Sequence, residues 1–229
     1  MERNHSPQPR FIAPMLCKPI QTLPRGDTWF YEIKHDGSRA IAVKDGAKVA
    51  LFSRHGGRLD YPEAKQAVRR LNAKRVVIDC ELVALNNRGK PCFEALDVKR
   101  RGCTIHLYAF DLLHLNGEDL MGEAIEKRKE HLCTIALDSS VLFAPSLKCE
   151  PDMLVEQVAR LSLEGIVAKR KGSTYDPGKR SGSWVTKRVN PQAQFFAGGL
   201  ALGFEPLLAE NRTPQARSCE TERPCGRSE

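Results

Sequence analysis

Several familiar signatures are missing from this 229-residue chain. No apolar run is long enough to cross a bilayer, so a helical membrane span is excluded. The opening residues, MERNHSPQPR, are polar and carry prolines, and do not read as a secretory signal. No CxxC pair occurs among the eight cysteines, which argues against a structural zinc site. No GxGxxG follows a strand-like segment, no HExxH exists, and no internal repeat is visible. The stretch Gly172–Lys179 looks like a P-loop at first. It has five residues between its glycines instead of four, and Arg180 follows where Ser or Thr is needed, so the phosphate cradle is lost. Negative charge is also short. Asp plus Glu is 28 against 36 for Lys plus Arg, a formal net charge of +8, which favours polyanionic partners such as nucleic acid or nucleotides.

Hydrophobic residues make up 41% of the chain, enough for a sizeable core. Cysteines inside apolar segments, such as Cys80, read as reduced core residues of a cytoplasmic protein. Three stretches are expected: a proline-rich extension over 1–24, a domain over 25–190, and a tail over 191–229 with little apolar periodicity. Short apolar-rich runs between turn signals predict strands at Trp29–Lys34, Ala40–Lys44, Lys48–Ser53, Val76–Leu85, Ile105–Leu115, Glu164–Lys169 and Ser183–Val189, with Val76–Leu85 a buried one. Helical spacing is expected over Tyr61–Leu71, Glu123–Ala136 and Asp152–Leu163. Hairpins and a few helices without strict βαβ alternation give an α+β fold with largely antiparallel sheets, not a Rossmann fold.

Charges stand where charge is expensive. Lys34 ends an apolar-rich strand and precedes Asp36-Gly37-Ser38-Arg39. Asp79 and Glu81 interrupt an apolar run and, two residues apart, face one side of it. Glu164 and Lys169 bracket Gly165-Ile166-Val167-Ala168. Charges of this kind need partners, and several together suggest a shared site. Carboxylates suit a hard divalent cation, basic groups suit phosphates, and a lysine made neutral by positive neighbours is a nucleophile. Taken singly, Lys34 reads as a surface lysine, Asp79 and Glu81 as members of ion pairs, and Phe110 as a core aromatic.

Four segments occur in order: Glu32-Ile33-Lys34-His35-Asp36-Gly37-Ser38-Arg39, Asp79-Cys80-Glu81-Leu82, Phe110–Gly117 and Glu164–Lys169. They resemble the KxDGxR, DGEL, FDLLYLDG and EGIVAK motifs of covalent nucleotidyltransferases. With the opening Phe11–Leu16, the chain over roughly residues 10–199 resembles bacterial-type ATP-dependent DNA ligases. That resemblance implies an ATP-grasp-like nucleotidyltransferase domain of two antiparallel sheets flanked by helices. It implies a catalytic Lys34 that takes AMP from ATP, passes it to a 5′-phosphate at a nick, and lets the 3′-hydroxyl displace it. It assigns Glu32 to the adenine, and Arg39 and Glu81 to the ribose. Phe110 would stack on the base, Lys169 would meet the α-phosphate, and Arg54 a nucleotide or DNA phosphate. Ile33, Lys187 and Arg188 complete the nucleotide-binding set. Glu81 and Glu164 would hold Mg²⁺ or Mn²⁺. A metal, Lys169 and Arg39 together would keep Lys34 uncharged. The implied partners are nicked duplex DNA and ATP, with no membrane, and the chain is expected to be a monomer.

The sequence departs from the family pattern in three places. Cys80 stands where DGEL has glycine, and Thr186 occupies the first lysine position of W-x-K-x-K/R. Lys187 is adjacent but on the opposite face of a strand, unless a bulge re-aims it. Finally, Phe195–Gly199 resembles the first strand of an OB-fold domain that the remaining residues are too few to complete, so a truncated OB domain is expected. Alternative readings are an RNA ligase, a capping guanylyltransferase, or a module that binds DNA or nucleotide without ligating.

Overall fold

Apolar-rich runs build the strands, and the two longest, largely buried, are neighbours in the larger of two sheets. A computed structural model of the chain describes residues 8–87, 92, 94–97, 102–137 and 139–190. The larger sheet contains β3 (Ser38–Asp45), β4 (Lys48–Ser53), β5 (Arg58–Leu59), β6 (Arg75–Asn86), β7 (Cys103–Leu115) and β8 (Glu118–Asp119). They lie in the order β5-β4-β3-β6-β7-β8, all antiparallel, with β9 (Leu142–Phe143) added parallel to β7. The smaller sheet runs β1 (Lys18–Pro19), β11 (Trp184–Arg188), β10 (Gly165–Arg170) and β2 (Trp29–Lys34), antiparallel except for β1 on β11. The expected α+β architecture of two mainly antiparallel sheets is what the chain adopts.

The two strand faces bury separate cores. One face of the larger sheet offers Ala42, Ile78, Cys80, Leu82 and Leu112 to α1 (Pro62–Arg69) and α3 (Ile125–Ala136). The opposite face gives Ile41, Val77 and Leu113 to a second cluster with Phe30, Trp184 and Tyr175, in the seam between the sheets. A third cluster lies beyond the smaller sheet, where Tyr31, Ile166, Ala168 and Val185 meet Leu154 and Val158 of α4 (Pro151–Arg160). A short α2 (Glu94–Asp97) follows β6. Local chemistry sets the helix ends. Pro62 and Pro151 stand in the first turn, where a missing N–H costs nothing, and Glu63 and Asp152 favour the positive end of the dipole. Past the end of α1, the Lys44 ammonium donates to Arg69 O (2.8 Å) and Leu71 O (2.7 Å). No helix among the described residues is long and apolar enough to cross a membrane.

The N-terminal stretch differs from its expected place outside the domain. Met15 and Leu23 are buried, and Lys18-Pro19 pairs with Val185-Thr186. Proline blocks a long ladder here. The segment is held instead by buried side chains and single bonds, such as Leu16 N to Lys179 O at 2.8 Å. The tail over 191–229, with the OB-like Phe195–Gly199, lies outside the described residues.

Two glycines are required by close approach. A Cβ on Gly37 would lie 2.2 Å from Leu82 O, and one on Gly165 would lie 2.3 Å from Lys187 O. Both contacts are with backbone, which cannot swing away. Gly165→Ala is therefore expected to lower stability by about 1–3 kcal/mol, measured as an earlier urea midpoint at unchanged slope.

Candidate functional site

The smaller sheet delivers one half of the site. The β2–β10 register sets Lys34 opposite Gly165 and Glu32 opposite Val167. Glu164, one residue before β10, thereby meets Lys34, with Nζ to Oε2 at 2.6 Å. Glu164 is mostly buried, and its other oxygen lies 3.6 Å from Nε of the exposed Arg188. Two residues back along β2, the Glu32 carboxylate lies between two buried ammonium groups. Lys129 reaches Oε1 at 2.6 Å and Lys169 reaches Oε2 at 2.7 Å.

The larger sheet supplies the other half. Arg39 on β3 grips the fully buried Asp79 of β6 with one edge of its guanidinium, Nε to Oδ1 at 2.9 Å and Nη2 to Oδ2 at 2.6 Å. The same Nη2 donates to Met15 O at 2.8 Å. The Tyr175 hydroxyl donates to Asp79 Oδ2 at 2.6 Å and accepts from the Met15 N–H at 2.9 Å. The expected shared face of Asp79 and Glu81 is present, since the unbroken β3–β6 register sets them two residues apart, opposite Ile41 and Arg39. Strand β7 carries two bulges, at Leu113 and Phe110, where its pairing with β6 skips a residue. Phe110 is half-buried, and its carbonyl accepts from Lys169 Nζ at 3.3 Å. The Phe110 ring lies 5.2 Å from the Arg39 guanidinium carbon and 4.8 Å from Lys169 Nζ, and Trp184 closes the group 4.2 Å from Lys169 Nζ.

Lys34, Glu81, Glu164, Arg39, Phe110, Lys169 and Arg188 thus gather around one seam. Four expected nucleotide residues stand differently. The Glu32 carboxylate is bonded to two lysines and not turned to an open base pocket. Ile33 packs its side chain into the cluster beneath α4, on the far face of β2, so only its backbone faces the site. Lys187 also faces away and donates to Gln21 O at 2.5 Å; the β10–β11 register is unbroken, so no bulge re-aims it. Arg54 is exposed at the turn after β4 and makes no hydrogen bond or ion pair among the described residues. Thr186 sits opposite Val167, with its hydroxyl 3.2 Å from Ile166 O. The positive neighbours expected to act on Lys34 each hold a carboxylate of their own: Lys169 has Glu32 and Arg39 has Asp79.

Three participants went unseen in the sequence: Lys129, Tyr175 and Arg128. Arg128 is fully buried and holds Asp111 with two 2.8 Å bonds. Both basic residues lie in Glu126-Lys127-Arg128-Lys129-Glu130, which reads as a solvated helix face. The available signal was the isolated Asp111 in an apolar strand, which had to find a cation.

Electrostatics single out Glu81. Burial pushes its carboxyl up to about 8, against the pull of Arg39 and Lys34 and with help from Asp79 and Glu164. Asp36 is raised too, by burial and then by Glu164. Raised carboxyls are what a cation would draw down. Glu81 and Glu164 are hard oxygen donors that fit a Mg²⁺-class ion, which takes one or two carboxylates and completes its shell with phosphate and water. No group of three or more His, Cys, Asp or Glu is poised around a metal position among the described residues. A raised carboxyl favours the folded state most at low pH. In metal-free buffer, Glu81 should subtract stability as pH rises from its ordinary 4.5 towards about 8. Glu81→Gln should flatten that slope in thermal melts across this range.

Comparison with known proteins agrees with this geometry. Residues 14–187 match the family model described as "ATP dependent DNA ligase domain". The multifunctional non-homologous end joining protein LigD of Pseudomonas aeruginosa is 33% identical over 204 residues, covering 85% of this chain and 24% of the relative. The LigD of Mycolicibacterium smegmatis is 30% identical over 206 residues, covering 89% of this chain and 27% of the relative. The chain therefore spans about a quarter of the length of these relatives. Among solved structures, mycobacterial DNA ligase D complexed with ATP and MES superimposes with a TM-score of 0.69 at 30% identity, over 77% of this chain and 60% of the other. With a family match that spans most of its length and a nucleotidyltransferase fold around Lys34, this chain belongs to the ATP-dependent DNA ligase domain family.

Proposed function

We propose that the chain carries out the adenylation chemistry of a DNA ligase, with Lys34 as the nucleophile. The observation that carries this reading is the convergence of Lys34, Glu164, Arg39, Glu81 and Lys169 at one seam, with Phe110 beside them. Lys34 Nζ forms a bond to the α-phosphorus of ATP while the bond to the β-phosphate oxygen breaks, and pyrophosphate leaves. Lys34 leaves Glu164 and gives one proton to water before attack, and a second goes to water as the P–N bond forms. Lys169 faces the charge that develops on the α-phosphoryl oxygens. Arg39, held rigid by Asp79 and Met15 O, presents its remaining donors to the sugar, and Phe110 offers a ring face to the base. Glu81 and Glu164 would hold Mg²⁺ or Mn²⁺, which when bound would neutralise phosphate charge.

In the full reaction, AMP passes from Lys34 to a 5′-phosphate in duplex DNA, and a 3′-hydroxyl displaces it to seal the strand. The basic residues Arg170, Lys171, Lys179, Arg180 and Arg188, none of them buried, supply a phosphate-tracking surface for that duplex. Relatives named for non-homologous end joining support end joining as the setting, with this chain acting in the repair of broken DNA. A second reading, nucleotide or DNA binding without ligation, is favoured by one feature: Thr186 stands on the cleft-side face of β11 where the family pattern has lysine.

Intact mass after incubation with ATP and Mg²⁺ should show one added AMP, lost in Lys34→Ala. A chain that takes no label but still binds nicked duplex supports the second reading, and label from GTP alone removes the ligase reading. Thr186→Lys should raise the rate of lysyl-AMP formation by about tenfold, as one more cation reaches the phosphates; an unchanged rate in single-turnover assays would show that Thr186 is not limiting.

A further inference from the structure

Helix α3 turns two basic residues inward, and they are matched differently. Arg128 and Asp111 form a one-to-one pair. Lys129 instead shares Glu32 with Lys169, so two ammonium groups meet one carboxylate. All three side chains are nearly out of water, at 7% exposed for Lys129, 4% for Glu32 and 1% for Lys169. The remaining partners of Lys129 carry no formal charge: Ala144 O at 2.8 Å and the rings of Phe143 and Phe30 at 4.5 Å and 5.8 Å. The neighbouring pairs Lys34–Glu164, Arg39–Asp79 and Arg128–Asp111 are each neutral. Among the described residues, the trio therefore holds a surplus positive charge buried beside the seam. Its cleft-side member is Lys169, which contacts Phe110 O and the Trp184 ring.

We infer that Lys129 is a positioning residue for an adenosine-linked phosphate, acting through Glu32 on Lys169. This rests on the adenylation reading. By taking one oxygen of Glu32, Lys129 fixes the carboxylate and draws off part of its charge. Lys169 then keeps a net positive field towards the phosphate while being held in place. Without Lys129, Glu32 and Lys169 would form a closed neutral pair, and the field at the phosphate would fall. In a site poor in water this difference is weakly screened. The state of Glu32 agrees. Burial opposes its charge, yet Lys129 and then Lys169 outweigh burial and hold its carboxyl below the ordinary value.

The test compares the full wild-type chain with Lys129→Met, Lys129→Arg and the double variant Lys129→Met/Glu32→Gln, after thermal melts identify the folded variants. Adenosine and AMP are titrated by calorimetry, and lysyl-AMP formation is timed with ATP and Mg²⁺. Lys129→Met should weaken AMP binding and slow labelling by on the order of tenfold while adenosine binding holds, and Lys129→Arg should restore both. The double variant removes one charge of each sign and should label faster than Lys129→Met alone. A structural role would lower adenosine and AMP binding together and leave the double variant the worst of the set. That result, or labelling by Lys129→Met at the wild-type rate, overturns the inference while the adenylation reading stands. A wild-type chain that binds neither ligand and takes no label overturns that reading, and the inference with it.

Discussion

The antiparallel pairing of β2 with β10 is the constraint from which the site follows. Lys34 opposite Gly165 brings Glu164 to the amine, and Glu32 opposite Val167 brings Lys169 within reach on the same face. A slip of one residue would turn every one of these side chains to the opposite face. Gly165 guards the register on its other edge, against β11, because the Lys187 carbonyl passes where a Cβ would stand. On the opposite face of these strands, Tyr31, Ile33, Ile166 and Ala168 pack into the cluster under α4. Apolar burial on one side of two strands thus holds the charge pattern on the other.

A second constraint is the matching of buried charge. Asp79 and Asp111 are directly opposite each other on β6 and β7, both fully buried. Like charges so placed repel. Each is neutralised by its own bidentate arginine, Arg39 from β3 and Arg128 from α3. Removing one member of such a pair strands a buried charge and costs about 3–5 kcal/mol. The pairs also pin elements that hydrophobic contact alone would leave free to slide. Asp79 joins β3 to the loop at Tyr175 and to the N-terminal segment at Met15, while Asp111 anchors α3 to β7. The site is stiff because charges that cannot reach water have been given fixed partners.

Much of this was legible in the residues. Trp29–Lys34 and Lys48–Ser53 form strands with the expected limits, because turn residues flank these short apolar-rich runs. The long strands at β6 and β7 were foreseen with ends off by one or two residues, since sheet pairing extends a strand past its apolar run. The motif residues Lys34, Glu81, Glu164 and Lys169 do come together. Ile33 and Lys187 show the reverse case. Their place in a motif suggested the site, but strand alternation turns their side chains away from it. The N-terminal stretch looked irregular because proline hides its pairing, yet Met15 is wholly buried.

The sequence by itself determined which segments extend or coil and which charged residues interrupt apolar runs, because both depend on neighbours a few positions away. Only the tertiary structure decided which cation each buried carboxylate would find. Glu32 and Lys129 are 97 residues apart, and Asp79 and Tyr175 are 96. On a helix, Arg128 and Lys129 carry no local mark that separates them from the solvent-facing Lys127. What separates them is the surface against which the helix packs, and that surface exists only once distant strands have assembled it.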